Sequence, residues 1–264
     1  MKLKAHQRII REQKAKEKPL CLFPDKPDVI DLKKAIVKPV SFLTAEKIIK
    51  EYEWIGTMPL PKSCRFIFGI FFNGFCGGVL IFVEPSTRQF NKNHPRQAVQ
   101  LNRGACVHWT PKNTASFLIS KSTKKLKECG IKIITAYCTV EAGEIGTIYQ
   151  ASNWWYVGKT SPSNVYWLDN HWIAERTLAD KKKWSKNKPK RWLEAFNNLP
   201  KKRLKAKSKY VRLIGTNKEN KKIAKLYNFT QKPYPKRSNA VEVSREIHTN
   251  SIGEGEGQYL DTAQ

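Results

Sequence analysis

Tyr149 lies in the segment of this 264-residue chain whose residue types and spacing best suit proton-transfer chemistry. Gly143 and Gly146 flank a predicted turn, residues 147–153 favour a short helix, and Trp155-Tyr156-Val157 favours a strand. Tyr149 would then lie about one turn inside a helix N-terminus, where peptide dipoles stabilise developing negative charge. The segment indicates a candidate transferase active site, although spacing alone favours a buried core tyrosine on an amphipathic helix.

A second feature suited to chemistry is the predicted helix that begins at Pro111 after Thr110 as its N-cap. Its exposed N–H groups, together with the hydroxyls of Thr114 and Ser116, could bind a phosphate or an oxyanion. An ordinary capped helix explains the same residues without any ligand. The sequence leaves both interpretations open.

The six cysteines show no C-x-x-C pair and lie mostly in apolar runs, which is typical of reduced thiols in a cytosolic protein. Cys106 and His108 form a C-x-H pair on a predicted strand, so both side chains would lie on one face. A metal site needs further ligands, and none lies nearby in the sequence. No metal site is therefore predicted.

The chain carries 49 Lys and Arg residues against 22 Asp and Glu, and its formal net charge of +27 favours a polyanionic partner. Residues 176–237 concentrate this charge, with twenty-two basic residues against three acids. Interleaved aromatics such as Trp184 and Trp192 indicate that the segment folds, against the alternative of a solvated charged face. We predict a nucleic-acid partner, contacted by Lys181, Lys182, Lys183, Lys186, Arg191, Lys201, Arg203, Lys205, Lys236 and Arg237.

The elements that must position these residues follow an α/β pattern. A short strand is predicted over residues 37–42, before a helix that Thr44 caps. The clearest feature is a hairpin in which Asn73-Gly74 joins two apolar runs, residues 64–72 and 75–83. Strands and helices then alternate from residue 99 to residue 158, as in a βαβ-type unit. These elements predict a mixed β-sheet flanked by helices.

Charge and apolar content divide the chain into four predicted segments. They are a basic flexible arm (1–20), a catalytic core (21–175), a basic segment that packs on the core (176–237), and a tail without fixed structure (238–264). The first eighteen residues are charged throughout, so no signal peptide is predicted. The longest apolar run is too short to cross a membrane.

Six segments occur in a specific order and spacing: Trp54 to Pro59, Cys64 to Gly69, Leu101 to Gly104, Pro111 to Ser116, Gly143 to Gly158, and Tyr234 to Arg237. Through them, residues 37–237 resemble the phage Mom family of DNA modification proteins and, more broadly, the GNAT acyltransferase fold. The resemblance implies a GNAT-like mixed β-sheet with a basic helical C-terminal extension. It also implies transfer of an acetamido or carbamoylmethyl-type group to N6 of adenine in DNA, which shields phage DNA from host restriction in the host cytoplasm.

The partners that the resemblance implies are DNA and a donor, which is acyl-CoA or another activated acyl or glycyl compound. The usual GNAT phosphate-binding signature, Q/R-x-x-G-x-G/A, is missing from the sequence, so the identity of the donor stays open. The alternatives from other classes are a GNAT-like acyltransferase that acts on a protein or small molecule, and a non-catalytic nucleic-acid-binding protein.

The resemblance assigns catalytic or donor-binding roles to Arg103, Asn113, Thr114, Ser116 and Tyr149. Trp54 lies in a loop where the family places an aromatic residue, often beside a histidine, but here Glu53 precedes it. Relatives tend to carry an aspartate where this chain has Thr139, and Glu141 or Glu144 could supply the missing carboxylate.

The chemistry explains why such residues would gather. The N6 amine is a poor nucleophile, so the site needs a base, an electropositive group such as Arg103 and a donor hydroxyl such as Tyr149. N6 also takes part in base pairing. The target base must therefore be unpaired or flipped, with Trp54 stacking on it.

Overall fold

The structure, a computed structural model, describes residues 6–17, 27, 29–85, 88–168, 171–174 and 198–236. Its strands are β1 (Ile36–Pro39), β2 (Cys64–Phe72), β3 (Phe75–Val83), β4 (Ala98–Cys106), β5 (Ile133–Cys138), β6 (Trp155–Lys159), β7 (Ser163–Leu168), β8 (His171–Ala174), β9 (Lys201–Leu204) and β10 (Ser208–Leu213). The α-helices within these ranges are α1 (His6–Glu17), α2 (Phe42–Tyr52), α3 (Arg88–Asn93), α4 (Thr114–Glu128), α5 (Thr147–Gln150) and α6 (Asn217–Leu226).

A seven-stranded sheet has the order β1-β2-β3-β4-β5-β10-β6, and a three-stranded sheet has the order β8-β7-β9. Neighbours in the larger sheet are antiparallel except β4 and β5, which are parallel. Apolar residues of β3 alternate between two cores, one shared with α4 and the other with α2. The predicted mixed sheet flanked by helices is therefore confirmed.

The predicted hairpin is confirmed in its strand bounds and in its turn. Asn73 and Gly74 have φ values of 46° and 89°, the left-handed geometry that a two-residue hairpin turn requires. Two predicted helix starts are wrong. Ser41, rather than Thr44, caps α2, because its side chain accepts the N–H of Thr44. The N-cap of α4 is Asn113, in the left-handed region, rather than Thr110.

Strand β10 comes from the basic segment that the sequence placed outside the catalytic core. It pairs antiparallel with β5 on one side and with β6 on the other, and Tyr210 and Val211 are fully buried while Lys209 and Arg212 beside them are not. Residues 160–207 are therefore an insertion between two strands of one sheet. The described part of this insertion forms the small sheet of β7, β8 and β9.

The N-terminal arm, predicted to be flexible, contains helix α1. Polar side chains of α1 bond to the backbone at the end of β4, a long-range contact that local composition does not reveal. Residues 237–264, which include the predicted tail, lie outside the described residues.

Gly146 and Gly130 provide a matched pair of substitutions. Both have positive φ, but a Cβ at Gly146 would overlap the Tyr210 ring, whereas nothing lies within 4 Å at Gly130. We expect Gly130→Ala to cost about 1–2 kcal/mol of unfolding free energy, from backbone strain alone. Gly146→Ala should cost clearly more in urea unfolding. Equal costs would show that the Tyr210 contact does not constrain α5.

Candidate active site

Glu53 is held in place at the end of α2. It is the C-cap of that helix, and its Oε2 accepts the N–H groups of Ile55 at 3.0 Å and Gly56 at 3.1 Å. The Arg103 Nε lies 3.9 Å from the same oxygen, and the Glu53 side chain is only 9% exposed. Burial raises the pKa of Glu53, although the positive charge of Arg103 opposes the rise.

Arg103 ties strand β4 to the loop after α2. Its Nε donates to the carbonyl of Thr57 at 2.8 Å, its Nη2 to the Thr57 hydroxyl at 3.3 Å, and its Nη1 to the carbonyl of Asn102 at 3.0 Å. The side chain is 18% exposed. The guanidinium is therefore fixed beside Glu53. Arg103 has a structural role in addition to any contact with a ligand.

Glu144 brings a second carboxylate to the same place. It follows the short 3₁₀ turn after β5, and its Oε2 accepts the backbone N–H of Thr139 at 3.2 Å. Burial, with a smaller contribution from the negative charge of Glu53, raises the pKa of Glu144 to about 7, while the Thr139 N–H and Lys207 oppose the rise. The carboxyl group of Glu144 thus lies at Thr139, where the resemblance predicts an acid. The side chain of Glu141 lies outside the described part of the structure.

Tyr149 lies on α5 with its ring buried. Ring centroids of Trp154 and Tyr210 lie 5.0 Å and 5.3 Å away. Burial raises its pKa well above the ordinary value, with smaller contributions from Cys138, Glu144, Tyr210 and Glu53. The phenol is therefore protonated at neutral pH. Its hydroxyl makes no hydrogen bond to any described residue.

Three polar residues that the sequence did not single out also shape this site. Gln150 donates to the carbonyl of Ile145 at 2.9 Å and to the Tyr210 hydroxyl at 3.1 Å, and Tyr210 donates to the same carbonyl at 2.6 Å. The positive charge of Lys207 lowers the pKa of Glu144. Tyr210 and Lys207 are far from Tyr149 and Glu144 in the sequence, so spacing could not indicate them. Gln150 is adjacent to Tyr149 and could have been considered.

Strands β4 and β5 part at this end of the sheet. They pair only from Ala98 to Leu101 on β4, and β4 continues to Cys106 without β5 as a neighbour. We name the space beside residues 102–106 the β4–β5 gap. α4 begins after the end of β4, across a short turn. A ligand in the gap would lie along one open strand edge.

The polar residues predicted at the start of α4 bond locally. The Thr114 hydroxyl donates to the carbonyl of Pro111 at 2.8 Å, and the Ser116 hydroxyl donates to the carbonyl of Asn113 at 3.0 Å. Thr114 is buried. Ser116 is thus the predicted oxyanion ligand that keeps a partly exposed hydroxyl, and Asn113 makes no side-chain capping bond.

The remaining predicted residues lie at different distances from this cluster. Trp54, next to Glu53, is half-buried and meets the His6 ring edge-on at 6.0 Å. Lys201 and Arg203 lie on β9, Lys205 lies between β9 and β10, and Lys236 lines a groove of about 680 Å³ with Thr147, Gln150 and Tyr234. The side chains outside the described residues are those of Lys181, Lys182, Lys183, Lys186, Arg191 and Arg237.

His108 has a structural partner. Its Nδ1 lies 2.8 Å from the Tyr52 hydroxyl, and Cys106 is buried against β3. Within the described ranges, no three His, Cys, Asp or Glu side chains gather as metal ligands. No helix in those same ranges is long and apolar enough to cross a membrane.

Comparison with known proteins places the chain in a family. The model of the Mom protein family matches residues 34–236. The chain belongs to the Mom protein family. The Mom resemblance inferred from the sequence motifs is thereby confirmed. Over 150 residues the chain is 27% identical to "Methylcarbamoylase mom" of Escherichia phage Mu, which covers 53% of this chain and 57% of that relative. The chain thus spans little more than half of that Mom relative.

Solved structures similar to this Mom-family chain include acetyltransferases. One is from Bacillus subtilis in complex with CoA, with 9% identity and a TM-score of 0.41 over 69% of this chain and 98% of that one. Another, of the GNAT family, is from Streptococcus pneumoniae, with 9% identity and a TM-score of 0.39 over 69% and 100%. Scores this low decide nothing about chemistry, which is interpreted from the site itself.

The raised pKa of Glu144 has a measurable effect on stability. Its pKa in the folded state is about 7 and its ordinary pKa is 4.5, so in the window between these pH values the folded state holds a proton that the unfolded state has lost. The unfolding free energy of the natural protein should therefore fall as pH rises through it. Glu144→Gln should remove this fall. Measured by urea unfolding, the unfolding free energy of the variant relative to the natural protein should rise by on the order of 1–3 kcal/mol between about pH 5 and pH 8.

Glu219→Gln is the matched control for that measurement. Its hydrogen bonds to Lys132 and Thr216 lower the pKa of Glu219 to about 2, so its contribution is lost only at acid pH. Its effect should be the same at both ends of the window. A pH-independent effect of Glu144→Gln as well would show that Glu144 is not a buried, proton-holding acid.

Proposed function

We propose that this protein transfers an acetamido or carbamoylmethyl-type group from an activated donor to N6 of adenine in DNA, in the host cytoplasm, and so protects phage DNA from host restriction. Membership of the Mom family supports the proposal, as does similarity to a phage Mu protein named a methylcarbamoylase. The observation that carries it is the gathering of Glu53, Arg103, Glu144 and Tyr149 at the open end of the sheet.

The two carboxyl groups suit removal of a proton from the amine. A general base works best when its pKa lies near the working pH, and the pKa of Glu144 is about 7. Glu53 is held by two N–H groups and faced by Arg103, all of which favour its charged form against burial. As the bond from N6 to the donor carbon forms, the N6 proton passes to Glu144.

Tyr149 suits the opposite end of the reaction. Its phenol keeps its proton at neutral pH and has no partner among the described residues, so it can donate to an atom that gains negative charge. As the bond from the donor carbon to its leaving atom breaks, that atom takes the Tyr149 proton. For an acyl-CoA donor, the leaving atom is the thiolate sulfur and the product is an N6-acyl adenine, whereas a carbamoylmethyl group requires a donor whose leaving atom is bonded to the methylene carbon.

The β4–β5 gap suits an extended donor. The open edge of β4 beside Arg103 offers backbone hydrogen-bonding groups, and the N-terminal turn of α4, near the mouth of the gap, favours negative charge. Ser116 would then contact the charged part of the donor. The donor class is acyl-CoA or another activated acyl or glycyl compound.

The insertion between β6 and β10 suits delivery of a polyanion. Ser208 pairs with Cys138 on one side and with Lys159 on the other, so both ends of the insertion lie at the carboxyl end of β5, beside Glu144. On β9, Lys201 and Arg203 lie two residues apart, so their side chains lie on the same face of the strand. DNA held by this insertion would present a flipped adenine to the carboxyl groups, with Trp54 available for stacking.

Tyr149→Phe tests the chemistry. We expect DNA from cells that express the protein to contain an adenine adduct, measured by mass spectrometry of its nucleosides. Tyr149→Phe should lower the adduct by about a hundredfold or more, because only the donated proton is removed. Tyr156→Phe, which changes another buried tyrosine beside Tyr210, is the control and should leave the adduct level unchanged. Absence of any adduct, or equal activity of Tyr149→Phe, would contradict the proposal.

Lys201→Ala combined with Arg203→Ala tests the DNA surface. Each contact with a phosphate releases about one counterion, so the double variant should lower the slope of log affinity against log salt by about 2. Fluorescence anisotropy with labelled DNA measures this slope. Lys33→Ala, which removes an exposed charge just before β1 at the far edge of the sheet, is the control. A slope that is lowered equally by the control would argue against this surface.

A further inference from the structure

Helix α1 lies across the end of β4 that borders the candidate active site. Gln7 Nε2 donates to the carbonyl of Gly104 at 2.6 Å. Arg11 Nη2 donates to the carbonyl of Thr110 at 3.0 Å, to the Thr110 hydroxyl at 3.2 Å and to the carbonyl of His108 at 3.4 Å. Two side chains one helical turn apart therefore fasten α1 to β4 and to the turn before α4.

The carbonyl that Gln7 occupies faces the β4–β5 gap. Val107 donates its N–H to the carbonyl of Gly77 at 2.9 Å, which sets the ladder between β3 and β4. In an antiparallel ladder every second residue bonds to the partner strand, so the backbone N–H and C=O groups of Val107 and Ala105 point toward β3. Gly104 therefore points its carbonyl the other way, into the gap, and the Gln7 amide fills part of that space.

The attachment of α1 includes the hydrogen bonds of Gln7 and Arg11 and the edge-on contact of the His6 ring with Trp54 at 6.0 Å. None of its residues is buried, in contrast with α2 and α4, which bury several apolar residues each. Helices held by a few partly exposed hydrogen bonds open with little free energy. α1 can therefore leave the gap while the core stays folded.

We propose that α1 is a built-in plug of the β4–β5 gap, which must undock before a donor can bind there. This inference rests on the proposed function, because that function places the donor beside Arg103 and Gly104. The docked helix and the donor need the same backbone carbonyl, so they exclude each other. The affinity for the donor is then reduced by the fraction of molecules in which α1 is docked.

The test uses the full chain with Gln7→Ala and Arg11→Ala combined, and coenzyme A as the probe. Losing these contacts should undock α1 and raise the affinity for coenzyme A about ten-fold in calorimetry. Arg8→Ala is the matched control, because Arg8 is exposed and bonds to Glu12 within α1. It should leave the affinity unchanged. The thermal unfolding midpoint should stay the same in all three proteins, since α1 has no buried residue.

Hydrogen exchange supplies the second measurement. Adding coenzyme A to the natural protein should speed exchange in residues 6–17 and slow exchange in residues 102–106. Protection of 102–106 with unchanged exchange in α1 would overturn the plug and leave the proposed function standing. No binding of coenzyme A by either the natural protein or the double variant would overturn the plug as a coenzyme A competitor. The nucleoside masses would then still report on the proposed function.

Discussion

The candidate site depends on the cost of burying two carboxyl groups beside each other. Glu53 follows α2 and Glu144 follows β5, and burial raises the pKa of each carboxyl group. Two backbone N–H groups and Arg103 hold Glu53, whereas Glu144 has a single backbone N–H and the more distant Lys207. This unequal support distinguishes the two acids: Arg103 and two N–H groups oppose the rise in the pKa of Glu53, whereas the pKa of Glu144 reaches about 7.

The same burial sets the role of Tyr149. A phenol enclosed by aromatic rings and close to carboxylates keeps its proton at neutral pH, so in the proposed reaction it donates only as the leaving atom gains negative charge. In the proposed reaction, the environments of Glu144 and Tyr149 therefore distinguish the proton acceptor from the proton donor. Arg103 links them to the fold, since its bonds to Thr57 fix the loop that carries Glu53.

Local signals in the sequence predicted much of the fold. The Asn73-Gly74 turn fixed the central hairpin, and the strand and helix alternation from residue 99 predicted the sheet. The cap of α4 was missed because Asn113 adopts a left-handed backbone, which spacing does not show. Tyr149 and Arg103 could be selected from the sequence, but the meeting of Glu53 with Glu144 depends on strand pairing across the sheet. β10 was hidden because its basic residues, Lys209 and Arg212, continue a charged segment that resembles a polyanion-binding surface.

The position of β10 also governs when the protein can become active during its synthesis. The strand that completes the sheet between β5 and β6 is made only after the whole insertion of residues 160–207 has left the ribosome. Until then the nascent chain has no Tyr210 against α5 and an incomplete sheet edge beside Glu144. Chains grow N-terminal first, so catalytic geometry and the basic insertion appear together, late in translation. A truncated product would therefore carry the hairpin and α4 without a working site.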